Sequence, residues 1–224
     1  MKQLKTLVRT SVAAFALAAS ASAMAQVTLR LAHYAEATHP ANLAATQFAQ
    51  KVEARTAGKV KVSIYPANAL GSPPDQLQQV KLGAIDMGLP TQGALDKYNK
   101  AFAVVMLPFV FEDLAHAHRV LDGPAMEWLS PIAEKEGFVM LSNWEYGFRN
   151  LTNSKRPILT PADVKGLKIR VPPEVQLEAA MEAAGANATK IAFPELYMAL
   201  SQGVVDGEEN PIAVITHNKF YEVQ

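Results

Sequence analysis

Cysteine is absent from the sequence, which excludes disulfides, thiolate nucleophiles and every metal site built on thiolates. An excess of one charge is absent too. The 21 basic and 21 acidic residues balance and the basic ones are scattered, so nothing points to a nucleic-acid partner. No apolar run reaches the roughly 20 residues that span a bilayer. A glycine-rich phosphate loop, a G-x-S-x-G elbow and an H-E-x-x-H helix are all missing, so the commonest hydrolase, kinase and metalloenzyme signatures are excluded. The five histidines include His116 and His118, a spacing that on a helix points the two rings to different faces and suits chelation poorly. Glu208 and Glu209 are neighbours, and adjacent side chains diverge, so at most one of them would face a cleft.

What is present is a 224-residue chain, half of it hydrophobic, enough to bury one or two ordinary cores. Its first 25 residues read as a secretory leader. Lys2, Lys5 and Arg9 give a positive start, an alanine-rich apolar run covers 12–19, and Ala23-Met24-Ala25 offers a small-x-small cleavage site. Cleavage is expected after Ala25, with Ala21-Ser22-Ala23 as the alternative. Its removal leaves 18 basic against 21 acidic residues, about −3, so a body that binds an anion must concentrate positive charge locally. The expected destination is the periplasm.

From Val27 onward strands and helices alternate. Val27, Leu29 and Leu31 predict a strand over 27–32, the four-residue spacing of Ala44, Phe48 and Val52 predicts a helix, and Val60, Val62 and Ile64 predict a second strand. Ser72-Pro73-Pro74-Asp75 is a helix start, and 87–89 is a third short strand. This βαβαβ order implies a parallel sheet covered by helices. Helices are expected over 113–121 and 124–136, and a strand over 138–142. The pattern then restarts, with a capped turn at Thr160-Pro161-Ala162-Asp163, a strand over 167–171, helices over 173–184 and 192–202, and a last strand after Asp206. The polar stretch 146–156 reads as a linker dividing two α/β domains, 26–146 and 147–224. The chain stops at Gln224 without a turn or charged tail and reads as truncated at its C-terminus.

Several segments carry a resemblance. Tyr65-Pro66 before Leu70-Gly71, the run Leu82-Gly83-Ala84-Ile85-Asp86, the turn Leu107-Pro108-Phe109, and Arg149 ahead of Thr152-Asn153 are its less specific part. The specific part is Gly166-Leu167-Lys168-Ile169-Arg170-Val171-Pro172, then Ala192-Phe193-Pro194-Glu195-Leu196-Tyr197-Met198-Ala199-Leu200, then 203–211 (GVVDGEENP). In this order and spacing, and across essentially the whole chain after the leader, they resemble the substrate-binding proteins of TRAP transporters, the DctP family.

The resemblance implies an α/β fold of the two-domain periplasmic binding protein kind, type II-like, with mixed, mainly parallel sheets flanked by helices. It implies a receptor for a small organic acid that delivers its ligand to TRAP membrane subunits, acts as a monomer, catalyses no reaction and needs no cofactor or metal. Arg170 would grip the ligand carboxylate, for which a planar guanidinium offers two parallel donors. The competing reading pairs Arg170 with an acid of its own domain. Arg149 would be a second basic residue near the ligand, or a hinge salt bridge. Phe193 would pack against the ligand, or simply fill the core. Asn210 would donate an amide hydrogen bond, or cap the helix opened by Pro211. Tyr34, Thr91 and Trp144 would line the opposite wall. Relatives that bind sialic acid carry polar or acidic groups where Tyr34, Pro73 and Thr91 stand here, which argues against that ligand. A receptor of an ATP-driven importer or a sensor shares the architecture and is the alternative. A secreted hydrolase lacks a nucleophile with a matched base.

Overall fold

The computed structural model describes residues 26–224, so the leader expected over 1–25 lies outside the described residues. Alternating apolar residues form β1 (Val27–His33), which becomes fully buried towards its carboxyl end. It pairs in parallel with β2 (Val60–Tyr65) on one side and β3 (Met87–Leu89) on the other, in the order β2-β1-β3. Between β1 and β2 runs α1 (Pro40–Arg55), which lays Ala45, Phe48 and Val52 over Leu31 and Val62. Full burial of a leucine- or valine-sized side chain such as Leu31 or Val62 contributes roughly 1.5–3 kcal/mol. His39 caps this helix, its Nδ1 accepting the Ala41 N–H at 3.1 Å. The next helix, α2 (Pro73–Lys81), opens as its sequence dictates: Pro73 costs no hydrogen bond in the first turn, and the Asp75 carboxylate accepts the Ser72 N–H at 2.9 Å.

After β3 the chain makes two 3-10 segments, Gln92–Lys97 and Lys100–Met106, then α3 (Leu114–Leu121) and α4 (Pro124–Lys135). Leu77, Leu95, Phe102, Leu129 and Phe138 unite α2, the two 3-10 segments and α4 in one core. The strand expected over 138–142 is not formed. Phe138 and Met140 reach the core, but no ladder partner meets their backbone among the described residues, and a strand needs both.

The second sheet has the order β4-β7-β5-β6. The stretch read as a linker contains β4 (Arg149–Asn153), which pairs antiparallel with β7 (Gly207–Pro211), Asn150 lying opposite Asn210. Its polar composition, RNLTN, hides a strand whose pairing is decided by a partner nearly sixty residues away. At the centre lies β5 (Lys168–Val171), parallel to β7 and to β6 (Asn187–Lys190), the latter not foreseen. The helices are α5 (Val175–Ala183), α6 (Leu196–Ser201), preceded by a 3-10 turn at Phe193–Glu195, and α7 (Ile212–His217). Val164, Leu167, Ile169 and Ala186 form the core under this sheet.

The two sheets meet at their carboxyl ends. Tyr34 and Ala35, just past β1, share a core with Leu196, Leu200, Val214 and Phe220. The Thr91 hydroxyl donates to Glu174 Oε1 at 2.6 Å, and the Val175 N–H donates to Asp96 Oδ2 at 2.9 Å. In open α/β sheets this is where ligands sit, in the crevice beyond the strand ends.

Candidate functional site

Strand geometry places Arg170. Successive side chains of β5 alternate, so Ile169 joins the core under the sheet while Arg170 points to the other face. The guanidinium is 1% exposed, its Nε donates to the Ile191 carbonyl at 2.9 Å, and its carbon lies 5.9 Å from the centre of the Phe193 ring. Its Nη2 is buried without a hydrogen-bond partner among the described residues. None of the ion pairs among those residues involves it, so the alternative of a structural pair with an acid of its own domain is not realised. Burial pulls its pKa down to about 10, a shift that the nearby Glu209 opposes and Arg149 reinforces. It therefore carries its charge throughout the neutral range.

Arg149, at the start of β4, is differently engaged. It forms an ion pair with Glu209 through Nε, and its Nη2 lies 2.9 Å from the second carboxylate oxygen and 2.7 Å from the Glu209 carbonyl. Burial, the largest single influence, lowers its pKa, but the charge and hydrogen bond of Glu209, together with Tyr146 and Glu174, make the net shift upward. Asn210 sits inside β7, and Pro211 takes the position preceding α7, so the expected helix cap is not what holds it. Its amide oxygen accepts from the Tyr146 hydroxyl at 3.1 Å and its nitrogen donates to Glu208 Oε2 at 2.6 Å. Burial raises the pKa of Glu208, whose other oxygen accepts from Thr152 at 2.7 Å.

Several of these groups line one narrow cleft with about 50 Å³ of free space. Arg170, Arg149, Asn210 and Phe193 line it from the second sheet, and Tyr34 and Thr91 from the first. The Tyr34 ring stands edge-on to Tyr146 at 5.3 Å and to Phe193 at 6.3 Å, and burial pushes its hydroxyl pKa upward. Trp144 is not brought to this cavity. It packs against the cluster of Leu31, Ala45 and Val62, and its indole N–H donates to Ser142 at 3.0 Å.

Among the lining residues not singled out in the sequence are Tyr146 and Glu174. Glu174 follows Arg170 by four residues in a Pro-Pro-Glu segment, and an acid next to a turn where the chain must leave the strand is the available signal. The site can thus bind an anion in a water-poor cleft through Arg170. Its acids are matched to neutral donors or to Arg149 instead of to each other, as paired catalytic carboxylates would be. Among the described residues no three metal-ligating side chains gather.

The family model described as bacterial extracellular solute-binding protein, family 7 (DctP), matches residues 31–224. The 2,3-diketo-L-gulonate-binding periplasmic protein YiaO of Escherichia coli is 36% identical over 205 residues, covering 92% of this chain and 62% of that protein. The C4-dicarboxylate-binding periplasmic protein DctP of Rhodobacter capsulatus is 34% identical over 213 residues, covering 94% of this chain and 64% of its own length. Among solved structures, a TRAP periplasmic solute-binding protein from Polaromonas sp. JS666 bound to D-erythronate superposes with a TM-score of 0.86 at 36% identity, covering 89% of this chain and 66% of that one. Another, from Sulfurospirillum deleyianum with bound succinate, gives 0.84 at 37% identity, covering 89% and 64%. The chain thus spans less than two thirds of the length of the curated relatives named here.

Proposed function

This chain belongs to the DctP family of bacterial extracellular solute-binding proteins, and from that premise we propose that it is a periplasmic receptor which binds a small organic acid and delivers it to a TRAP-type secondary transporter. One observation carries the reading: Arg170, buried and lining the cleft between the two sheets, keeps a guanidinium nitrogen that has no protein partner among the described residues. A buried charge without a counter-ion costs several kcal/mol. A carboxylate docked on Arg170 repays that cost with two parallel charge-assisted hydrogen bonds.

The other lining groups fit a binding role without chemistry. Phe193, Tyr34 and Tyr146 supply apolar surface, and Asn210 is oriented by Tyr146 and Glu208 so that one of its two amide hydrogens remains for a guest. Arg149, paired with Glu209, holds that carboxylate in place at the cleft wall. Two lobes, 26–146 and 147–224, would close over the acid, and closure strengthens the Arg170 contact by expelling water. Ligand then shifts the population towards the closed form that the transporter reads. Relatives whose structures hold D-erythronate, succinate and galacturonate share this fold, which supports a carboxylate as the common element. Export fits the leader with cleavage after Ala25, and no described helix is long and apolar enough to cross a membrane.

A thermal-shift screen of the protein against small carboxylates tests the proposal, because a ligand that binds only the folded state raises the melting temperature. At least one acid should stabilise the chain, and its amide should not. Stabilisation by the amide alone would refute the reading.

A further inference from the structure

The charges around the cavity are unequally matched. Arg149 is neutralised by Glu209, which leaves Arg170 as the free cation among the lining residues. Facing the same space is Glu174, only 4% exposed. Its oxygens each accept one hydrogen bond from a neutral donor, Oε1 from the Thr91 hydroxyl at 2.6 Å and Oε2 from the Gln176 amide at 2.8 Å. None of the ion pairs among the described residues includes it. A carboxylate offers about four acceptor sites, so acceptor capacity is left over. The position is fixed from behind as well: a methyl group at Gly93 would overlap both Glu174 and Gln176, so the glycine makes room for this carboxyl.

A guest held at Arg170 by one acid group therefore meets, elsewhere in the cavity, a buried acceptor. A second carboxylate on the guest would place like charges together in a desolvated space, which is strongly unfavourable. A hydroxyl would instead donate into the free acceptor sites of Glu174. We propose that Glu174 is a specificity-determining residue, which accepts a hydroxyl of the ligand and thereby selects singly charged hydroxy acids over dicarboxylates. The inference rests on the reading that Arg170 grips the acid group, and deepens it by adding the second point of contact.

The test uses two four-carbon acids of similar size, D-erythronate, with one carboxylate and three hydroxyls, and succinate, with two carboxylates and none. Isothermal titration at neutral pH should show wild type binding D-erythronate at least about 100-fold more tightly than succinate, the magnitude expected when like charges are forced together. Glu174→Gln, which keeps the shape and removes the charge, should cut that ratio at least about tenfold, chiefly by improving succinate binding. Equal affinity of wild type for the two acids, no binding of either at millimolar concentration, or an unchanged ratio in the Gln variant would each overturn the inference. Arg170→Ala separates the two levels. Loss of both acids in that variant, with the Glu174→Gln ratio unchanged, leaves Arg170 as the anchor and removes only the role of Glu174, whereas undiminished binding by Arg170→Ala removes the anchor itself.

Discussion

Arg149 clasps Glu209 with two of its nitrogens on the two carboxylate oxygens, one hydrogen bond measuring 2.9 Å, while the Glu209 side chain is 5% exposed. The pair ties the first strand residue of β4 to β7. Removing the acid alone leaves a largely buried guanidinium uncompensated, and such breakage costs about 3–5 kcal/mol. Glu209→Ala should lose that much stability in urea denaturation. The double variant Arg149→Met with Glu209→Met should recover most of it, because no charge is then left unpaired. A double variant as unstable as the single one would show that the pair's position, not its charge balance, is what matters.

Arg170 presents the opposite case. Its buried charge forms no ion pair among the described residues, so it weakens the unliganded fold, and under the proposed function a bound acid offsets that cost. Arg170→Ala should weaken binding of the acid by roughly 2–5 kcal/mol, and Arg170→Lys should rescue little, since an ammonium cannot reproduce the planar fork. Arg170→Met, close in volume, should raise the melting temperature of the unliganded protein while abolishing acid binding. Calorimetry and thermal melts on the same three variants check both halves. An unliganded Met variant that melts below wild type would contradict the proposed conflict between stability and function.

How much of this could be read from the residues depends on what each feature needs. Arg170 and Asn210, which both line the cleft, each sit in a run whose order and spacing are specific, and the parallel sheet was legible because β1 and β2 carry strict apolar alternation. The strand β4 was not legible, since RNLTN has no apolar period and owes its conformation to the Gly207–Pro211 backbone. The stretch 138–142 erred in the other direction, apolar enough for a strand but unpaired among the described residues. Trp144 was placed by residue type, and only packing reveals that Leu31 and Val62 claim it. Glu174 was hidden for a related reason: its burial comes from Thr91 and Gly93, some eighty residues earlier, and nothing local in Pro-Pro-Glu announces that contact.

Stability should depend on pH through the buried acids. Burial raises the pKa of Glu174 and of Glu208 above 4.5 in the folded protein, against the opposing effect of their hydrogen bonds to Thr91 and Thr152. The folded state therefore holds protons more tightly than the unfolded one, and stability falls as pH rises from about 4.5 through the folded values. Below 4.5 both states are protonated and the contribution vanishes. The difference in unfolding free energy between Glu174→Gln and wild type should accordingly grow in favour of the variant from mildly acid to neutral pH. A difference that stays flat between pH 4.5 and 7.5 would mean that Glu174 titrates alike in both states.

Gly93 offers the sharpest steric test of the contact between the two sheets. It lies in the 3-10 segment Gln92–Lys97, beside Thr91, and its missing side chain is the space in which Glu174 and Gln176 sit. Neither of those groups can retreat freely, because Glu174 is held by Thr91 and by the Gln176 amide, and both are nearly fully buried. Gly93→Ala should therefore displace the Glu174 and Gln176 side-chain ends and, since both are buried, push apart the segments that follow β3 and β5. It costs the 2.6 Å Thr91–Glu174 hydrogen bond and leaves a buried carboxyl with one donor fewer, a loss of about 1–3 kcal/mol. Thr91→Val removes the same donor without the collision, so it should reproduce the lost hydrogen bond but not the separation. Small-angle scattering of the two variants distinguishes these effects: the alanine variant should have the larger radius of gyration and the weaker acid binding, while Thr91→Val should keep the wild-type dimensions. Equal dimensions in both would show that the two segments can absorb a methyl group, and that the glycine is not what lets them meet.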